Sequence, residues 1–362
     1  MTRLRTLYFI VANTALLILL AELAAHLGVS AWDVATPAFT YAKMAQPIRE
    51  NYAHMPPADV DELWRNTLAS RWRYEPIVGF VAEQQQSRFV NVNAVGIRSN
   101  GGLAHSIDGA IWFLGGSTTF GYGVADSETI PAFLEQELGR PVVNFGVPGH
   151  YSLYENRLMI HYLRLGFRPS AVLFLDGVNE SCQADLAEDE LGGLVALSQR
   201  GYSWQPSRPV VYAAMRGMTK AARALNLIGP DPALALELEC HAAGRVIPLS
   251  QVAVRALDER EFFCKTYGLD CRTYIQPFAG VHGRHDVPAD QSDYLPTLYR
   301  YLEPGWKASQ VTFVTGALDG QNHHAYVDEA HYSMASHKLI ASAIGATLPR
   351  VATTTGAFDH QP

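Results

Sequence analysis

Residues 111–121 read IWFLGGSTTFG, an apolar run followed by paired glycines and then by hydroxyl side chains. The apolar part, Ile111 to Leu114, has no polar interruption, which is typical of a strand buried on both faces of a parallel sheet. Gly115-Gly116 ends the run with a tight turn, after which Ser117 opens the next segment. This stretch therefore predicts a buried strand with an exposed serine at its carboxyl end.

The same alternation of short strands and helices continues along the chain. Strands are predicted at residues 111–114, 142–145, 171–175, 273–276 and 311–314, and helices at 127–138, 152–165, 249–267, 295–302 and 335–348. Such a pattern predicts right-handed βαβ crossovers and a parallel sheet covered by helices on both faces. We therefore expect an α/β fold, a three-layer αβα sandwich, in one domain over residues 76–348. Residues 181–247 interrupt the pattern as an insertion, and residues 349–362 are expected to form a disordered tail.

The composition excludes two broad classes of protein. Hydrophobic residues make up 48% of the 362 residues and charged residues 17%, which is more apolar than a disordered chain allows. Acidic residues outnumber basic ones, 35 to 28, for a net charge of −7. A protein that binds a phosphate backbone normally carries a basic excess, so nucleic acid is not expected as a partner.

The N-terminus carries a long apolar segment. Residues 7–21 read LYFIVANTALLILLA, and extension to Val29 gives 23 residues, about 35 Å of helix. Arg3 and Arg5 precede the segment, whereas the next basic residue is Lys43, so the N-terminus should face the cytoplasm. The segment predicts a signal anchor over residues 1–31, a transmembrane helix that binds the membrane and leaves the rest of the chain exported. Residues 32–75 would then be a juxtamembrane spacer.

Two other interpretations of this segment stay open. Val29-Ser30-Ala31 ends in the small-residue pattern that export peptidases accept, so the segment could be a cleaved signal peptide and the protein secreted. It could also be an amphipathic core helix. Four cysteines, Cys182, Cys240, Cys264 and Cys271, permit disulfides in an exported chain, but their spacing does not fix the pairing, and four free thiols are the alternative.

Polar residues follow the predicted strands at the positions where ligands bind in open parallel sheets. Ser117 lies on a strand-to-helix turn, where a serine can act as a nucleophile once a base takes its proton. His331 can supply that base, and Asp328, three residues earlier, can orient the imidazole. The Ser117 and Gly149 backbone N–H groups and the Asn179 side-chain amide are the candidate donors of an oxyanion hole.

Each of these residues also has a structural interpretation. The Gly-Gly-Ser turn could be a plain turn, Asp328 and His331 could cap a helix, and Asn179-Glu180-Ser181 matches a glycosylation sequon. A metal site formed by the nearby histidines is not expected, because their spacing places them on no common helical face with Asp328. No cofactor is expected either.

Taken together, these blocks resemble those of the SGNH (GDSL-type) hydrolases. Gly115-Gly116-Ser117 corresponds to the first block in the G-G-S-T form of membrane-anchored members, and Gly149 and Asn179 correspond to the second and third. Asp328 and His331 match the D-x-x-H block, and the resemblance covers residues 76–348. It implies an SGNH/flavodoxin-like fold with Ser117, Asp328 and His331 as catalytic residues and Ser117, Gly149 and Asn179 as the oxyanion hole.

The chain departs from the family pattern at two positions, since Gly116 and Glu180 stand where the blocks usually have aspartate. The resemblance implies a serine esterase that hydrolyses short ester-linked acyl groups, O-acetyl above all, on exported or cell-surface glycans. Two alternatives remain: an O-acyltransferase acting on polysaccharide, and a non-catalytic glycan-binding or assembly protein with a vestigial site.

Overall fold

The computed structural model describes most of the chain between residues 41 and 349. The described residues are 5–6, 8–17, 19–21, 23, 41–102, 105–180, 238–242, 245–283, 294–321 and 324–349. The strands in chain order are β1 (Trp72–Glu75), β2 (Gly79–Ala82), β3 (Ile111–Gly115), β4 (Val142–Gly146), β5 (Ala171–Asp176), β6 (Glu239–Ala242), β7 (Arg245–Pro248), β8 (Cys271–Ile275) and β9 (Thr312–Phe313). The helices are α1 (Gln46–Glu50), α2 (Pro57–Leu68), α3 (Ser117–Phe120), α4 (Ile130–Leu138), α5 (Ser152–Arg164), α6 (Leu249–Tyr267), α7 (Tyr294–Lys307) and α8 (Met334–Gly345). Short 3₁₀ helices cover Tyr41–Lys43, Asp126–Glu128 and Thr315–Leu318.

The central sheet has five parallel strands in the order β4-β3-β5-β8-β9. Counted within the sheet, this order is 2-1-3-4-5, the flavodoxin-type arrangement, in which the direction of winding reverses between β3 and β5. Ile111 pairs with Val142 on one side and with Ala171 on the other, so β3 lies between β4 and β5. The predicted α/β fold with a parallel sheet is confirmed.

Helices cover both faces of this sheet, as the continuous apolar strands require. Trp112 and Leu114 of β3 pack in one cluster with buried residues of α5. Ile111 and Phe113, which point to the opposite face, pack with buried residues of α4 and α8. The alternation of side chains along β3 thus divides the core into two halves, which gives the expected three layers.

Two helices differ from the predicted boundaries for identifiable reasons. The helix expected from residue 127 begins at Ile130, because Thr129 is the residue whose hydroxyl accepts a hydrogen bond from the Ala132 N–H (3.2 Å). The helix expected over residues 295–302 continues as α7 to Lys307 and includes Pro304. A buried stripe that extends to Trp306 holds this additional turn in place.

Residues 57–75 differ from the spacer predicted for residues 32–75. Helix α2 buries Val60, Leu63 and Trp64 in the same cluster as Trp112 of β3. Strand β1 pairs with β2 in an antiparallel hairpin, and the folded unit therefore begins well before residue 76. The polar residues that obscure the helical period of α2 lie on its outer face.

The insertion predicted over residues 181–247 lies outside the described residues except near its end, where β6 and β7 form an antiparallel hairpin. The predicted tail after residue 349 also lies outside them. Cys264 and Cys271 form a disulfide with a Cα–Cα distance of 6.0 Å, and Cys240 is disulfide-bonded as well. The alternative of four free thiols is therefore wrong.

The described residues between 5 and 23 are helical, and their large apolar side chains are exposed, among them Phe9, Leu17 and Leu19. No helix within the described ranges combines the length and the apolar character needed to cross a membrane. The transmembrane helix predicted for residues 1–31 is thus not found in the part of the chain that the structure describes.

Candidate active site

The candidate nucleophile lies at the reversal point of the sheet, where ligand sites form in folds of this type. Ser117 follows β3 after the single residue Gly116 and is the first residue of the four-residue helix α3. Asn179 follows the neighbouring strand β5 by three residues, so the two side chains come from adjacent strand ends. Ser117 is largely buried, with 9% of its surface exposed.

Ser117, His331 and Asp328 form a continuous chain of hydrogen bonds. The Ser117 Oγ lies 2.8 Å from His331 Nε2, and His331 Nδ1 lies 2.7 Å from Asp328 Oδ2. The second carboxylate oxygen of Asp328 accepts hydrogen bonds from the backbone N–H groups of Ala330 (2.9 Å) and His331 (2.8 Å). The candidate nucleophile, the candidate base and the carboxylate beside it are therefore in the relative positions that serine hydrolysis requires.

Asp328 remains ionised over the whole neutral and mildly acidic range. Burial alone would raise the pKa of its carboxyl group, but the charge and hydrogen bond of His331, together with the two backbone N–H donors, lower it to about 2. An ionised carboxylate accepts the Nδ1 proton of the imidazole, which leaves Nε2 free to take the proton of Ser117. The assignment of this tautomer follows from the hydrogen-bond network.

The interpretation of Asp328 and His331 as a helix-capping pair is wrong. Helix α8 begins at Met334 and is capped by Ser333, whose hydroxyl accepts a hydrogen bond from the Ser336 N–H (3.3 Å). Asp328 instead closes a turn onto the backbone of its own loop, which holds the imidazole of His331 toward Ser117.

One candidate oxyanion donor, the Asn179 amide, lies beside Gly116, the residue before Ser117. The Asn179 side-chain amide donates one hydrogen bond to the carbonyl oxygen of His150 (2.9 Å), which joins the loop after β5 to the loop after β4. Gly149 has φ +83°, a conformation that favours glycine, and a side chain there would meet no atom within 4 Å. The backbone N–H groups of Ser117 and Gly149 have no hydrogen-bond acceptor within the described ranges, so both are available to a ligand.

The glycine at position 116 has a steric reason. A Cβ built on Gly116 would lie 2.1 Å from Asn179 Nδ2 and 3.0 Å from the carbonyl oxygen of His150. Any side chain at this position would therefore displace the Asn179 amide. The loop after β5, which carries Asn179, thus approaches the turn after β3 closely, and this approach explains why glycine replaces the usual aspartate.

The glutamate at position 180 also has a defined partner. Its Oε1 accepts a hydrogen bond from the Ser152 N–H (3.2 Å), and the Ser152 hydroxyl lies 2.9 and 2.8 Å from the two carboxyl oxygens. Burial and the neighbouring Asp176 raise the pKa of Glu180 to about 7, although the hydrogen bonds from Ser152 act in the opposite direction. Glu180 thus links the loop after β5 to Ser152, the first residue of α5.

Two further contacts organise the site, and neither was predicted from the sequence. The ring of Tyr122 stacks on the His331 imidazole, with 4.5 Å between centroids and 30° between planes. Gln276 Oε1 accepts hydrogen bonds from the hydroxyls of Thr118 (2.7 Å) and Tyr332 (3.1 Å), the residues that directly follow the nucleophile and the base. Gln276 was predicted as the last residue of the strand 273–276, whereas β8 ends at Ile275 and places Gln276 just beyond the strand end.

Other aromatic and histidine side chains have partners of their own. Tyr151, the residue before α5, is buried with its ring against Tyr154. His337 is buried in α8 and accepts a hydrogen bond from the Ile130 N–H, and His324 lies beside Glu50. Where the structure describes them, these histidines do not converge with Asp328.

Comparison with known proteins finds likeness in structure only. No family model matches the chain, and no curated protein matches it. Solved structures with a similar fold include a member of the lipolytic protein G-D-S-L family from Veillonella parvula, at 11% identity and a TM-score of 0.36, over 67% of this chain and 99% of that one. The psychrotrophic esterase EstA from Pseudoalteromonas sp. matches at 12% identity and a TM-score of 0.34, over 66% of this chain and 94% of that one.

A carbohydrate esterase family 2 enzyme with a carbohydrate-binding domain, from Corynascus thermopiles, matches at 10% identity and a TM-score of 0.34. The alignment covers 68% of this chain and 67% of that one. Likenesses at such identities and TM-scores carry no assignment of activity, which has to come from the geometry of the site.

Proposed function

We propose that this protein is a serine esterase of the SGNH type that hydrolyses carboxylic esters. One observation carries the proposal: Ser117 Oγ, His331 and Asp328 are joined by hydrogen bonds of 2.8 and 2.7 Å. The approach of the Asn179 amide to Gly116, and its hydrogen bond to the carbonyl oxygen of His150 next to Gly149, support these groups as donors to the negative charge of a tetrahedral intermediate.

The first half of the reaction follows from these positions. Ser117 Oγ attacks the ester carbonyl carbon as its proton passes to His331 Nε2, and the carbonyl π electrons move onto oxygen. The N–H groups of Ser117 and Gly149 and the Asn179 amide donate hydrogen bonds to that oxyanion. The Asp328 carboxylate stabilises the imidazolium, which then protonates the leaving alcohol as the ester bond breaks.

The second half repeats these steps with water as the nucleophile. His331 takes a proton from the water, whose oxygen attacks the acyl carbon of the Ser117 ester. Collapse of the second tetrahedral intermediate releases the carboxylic acid, and the imidazolium returns its proton to Ser117 Oγ. No group other than the triad, the donors and water is needed to balance the reaction.

We further propose that the substrates are short acyl esters, O-acetyl above all, on exported or cell-surface glycans. The support is the sequence: the resemblance to anchored G-G-S-T hydrolases, the apolar residues 7–29 and the two arginines before them. The Cys264–Cys271 disulfide also favours an exported domain, because such bonds persist in oxidising compartments. In this proposal the N-terminal segment anchors the protein in the membrane.

The test is labelling of the full-length protein with a fluorophosphonate, combined with hydrolysis of p-nitrophenyl acetate. We expect one label per chain, on Ser117, and loss of both labelling and hydrolysis in Ser117→Ala at an unchanged melting temperature. A folded wild-type protein that is not labelled, or a Ser117→Ala variant that still hydrolyses the ester, would refute the proposal.

The substrate class is tested separately with acetylated xylan and alginate. Release of acetate that exceeds the rate on the deacetylated controls supports a glycan esterase. Transfer of acetyl from a donor to a glycan hydroxyl, at a rate above hydrolysis, would instead make the protein an acyltransferase built on the same triad.

A further inference from the structure

Two loops carry the side-chain and backbone donors of the oxyanion hole, and they are joined at two successive points. The first is the hydrogen bond from the Asn179 amide to the carbonyl oxygen of His150 (2.9 Å). The second is the contact of the Glu180 carboxyl group with the backbone N–H and hydroxyl of Ser152. Because Ser152 begins α5 three residues after Gly149, Glu180 acts on the loop that presents the Gly149 N–H.

Glu180 belongs to a buried cluster of three carboxyl groups around one guanidinium. Glu155, Asp176 and Glu180 are 1%, 2% and 3% exposed, and Arg260 is 3% exposed. Arg260 Nη1 donates to Asp176 at 2.6 Å, and its Nη2 lies 3.3 Å from Glu155. The guanidinium also stacks on the ring of Phe174, 3.7 Å from its centroid.

Among the three carboxyl groups, Arg260 donates hydrogen bonds to Asp176 and Glu155. The hydrogen bonds of the Glu180 carboxyl group are with Ser152 instead. The other donors of Arg260 go to Asn156 (2.8 Å), to Thr273 (3.0 Å) and to the carbonyl of Ser152 (3.4 Å). No hydrogen bond joins Arg260 to Glu180 among the described contacts. Within the described part of the chain, the carboxyl group of Glu180 therefore has Ser152 as its hydrogen-bonding partner.

We propose that Glu180 is a positioning residue of the oxyanion hole: through Ser152 it sets the distance between the Asn179 amide and the Gly149 N–H. The inference rests on the proposed esterase function. Asn179 is next to Glu180 in the chain, so a shift of the Glu180–Ser152 contact moves one donor relative to the other. Donors of an oxyanion are effective only when they are held in place before the charge develops.

The charge of Glu180 should make kcat depend on pH, and a role in packing alone would not produce that dependence. The groups that face it are Asp176 at the end of β5, Glu155 and Ser152 on α5, and Arg260 on α6. Burial and Asp176 raise the pKa of Glu180 to about 7, so the carboxyl group ionises near neutral pH. Ionisation adds negative charge behind the oxyanion hole, and kcat should therefore fall as the pH rises through about 7.

Three variants test the inference. Glu180→Gln keeps an acceptor for the Ser152 N–H and a donor toward its hydroxyl, so it should retain activity at pH 6 and lose the alkaline fall in kcat. Glu180→Leu removes both contacts and should lower kcat at least tenfold with little change in KM. Glu261→Gln is the matched control and should behave as wild type, because Glu261 is a half-buried glutamate of α6 that pairs with Lys265.

All rates are expressed per site labelled by fluorophosphonate, so that partly folded protein does not enter the comparison. If wild type is labelled and Glu180→Leu keeps kcat within twofold, the positioning role is overturned while the esterase function stands. If wild type itself is not labelled, the esterase function fails and the inference with it. If Glu180→Leu does not fold, Ser152→Ala is measured in its place, because it removes the hydroxyl that contacts Glu180. A lower kcat in this variant supports the inference, and a kcat equal to that of wild type overturns it.

Discussion

Replacement of Gly116 by alanine tests whether the oxyanion hole depends on the close approach of two loops. A Cβ at this position would lie 2.1 Å from Asn179 Nδ2, the candidate oxyanion donor. Gly116 has φ −83°, which lies outside the left-handed region, so the backbone itself does not require glycine. The added methyl group therefore acts on the Asn179 amide rather than on the turn.

The expected losses of kcat and of stability follow from the overlap between the added Cβ and the Asn179 amide. Carbon and nitrogen atoms in contact are normally about 3.5 Å apart, so the amide has to move by roughly 1 Å or more. Loss of one oxyanion donor typically costs about 10²–10³ in kcat, or about 2.7–4 kcal/mol of transition-state stabilisation. Overpacking of a well-packed site costs about 1–3 kcal/mol of stability, which most folded domains tolerate.

The assay is a double-mutant cycle on p-nitrophenyl acetate with Gly116→Ala, Asn179→Ala and the double variant. We expect each single variant to lower kcat by a similar factor and the double variant to be no slower than either, because the severe overlap of the methyl group, at 2.1 Å, is with the amide that Asn179→Ala removes. Gly102→Ala is the control, since a Cβ at Gly102 would meet no atom within 4 Å.

Two results would refute this reasoning. One is a Gly116→Ala variant with wild-type kcat, which would mean that the amide is not needed where the structure places it. The other is a double variant whose loss is the product of the two single losses, because independent effects would exclude a shared cause at Asn179.

Three further predictions concern the triad and the stability of the fold. Asp328→Asn should lower kcat by about 10⁴ at an unchanged melting temperature, because the neutral amide no longer holds the proton on Nδ1 of His331; a loss below tenfold would contradict the orienting role. The pKa of His337 is lowered to about 3 by burial, below the ordinary 6.5, so the unfolded chain binds a proton that the folded chain does not. The contribution of His337 to the free energy of unfolding should therefore fall by about 1.4 kcal/mol per pH unit as the pH decreases from about 6.5 toward 3. In urea titrations over this range, wild type should lose more stability with falling pH than His337→Gln does. Finally, Cys264→Ser opens the disulfide to Cys271 and should cost about 2 kcal/mol by the loop-entropy estimate for a short loop, measured as a lower urea midpoint; an unchanged midpoint would argue against the bond.

The parallel sheet was predictable because its strands carry their own signal. Uninterrupted apolar runs such as residues 111–114 and 171–175 have to be buried on both faces, and helices of matching length separate them. Helix α6 was predicted at its exact ends, Leu249 and Tyr267, since Gly268 follows it in the left-handed conformation. Helix α2 was missed because half of its residues are polar. Its few apolar residues form a recognisable buried face only once they are seen packed against the rest of the core.

The three residues of the candidate triad could be named from the sequence, since Ser117, Asp328 and His331 lie at strand ends or before the last helix. Their contacts could not, because 214 residues separate the two that share the 2.8 Å hydrogen bond. The contact of Glu180 with Ser152 was hidden for the same reason. An arginine at 260, in a helical pattern between Leu257 and Cys264, was the sequence signal of the buried ion pair with Asp176, since a charge at a core-facing position needs a buried partner.

The sequence by itself determined the class of fold, the order of the strands and helices of the central sheet, and the kinds of residue at the carboxyl edge of that sheet. These properties depend on local pattern: apolar runs, helix caps and turn glycines act within a few residues of themselves. Only the tertiary structure decided which side chains touch: that Gly116 leaves room for Asn179, that Glu180 holds Ser152 and that Tyr122 lies on His331. The physical reason is that such contacts depend on the packing of distant segments to within an ångström, and no local pattern in the chain encodes that distance.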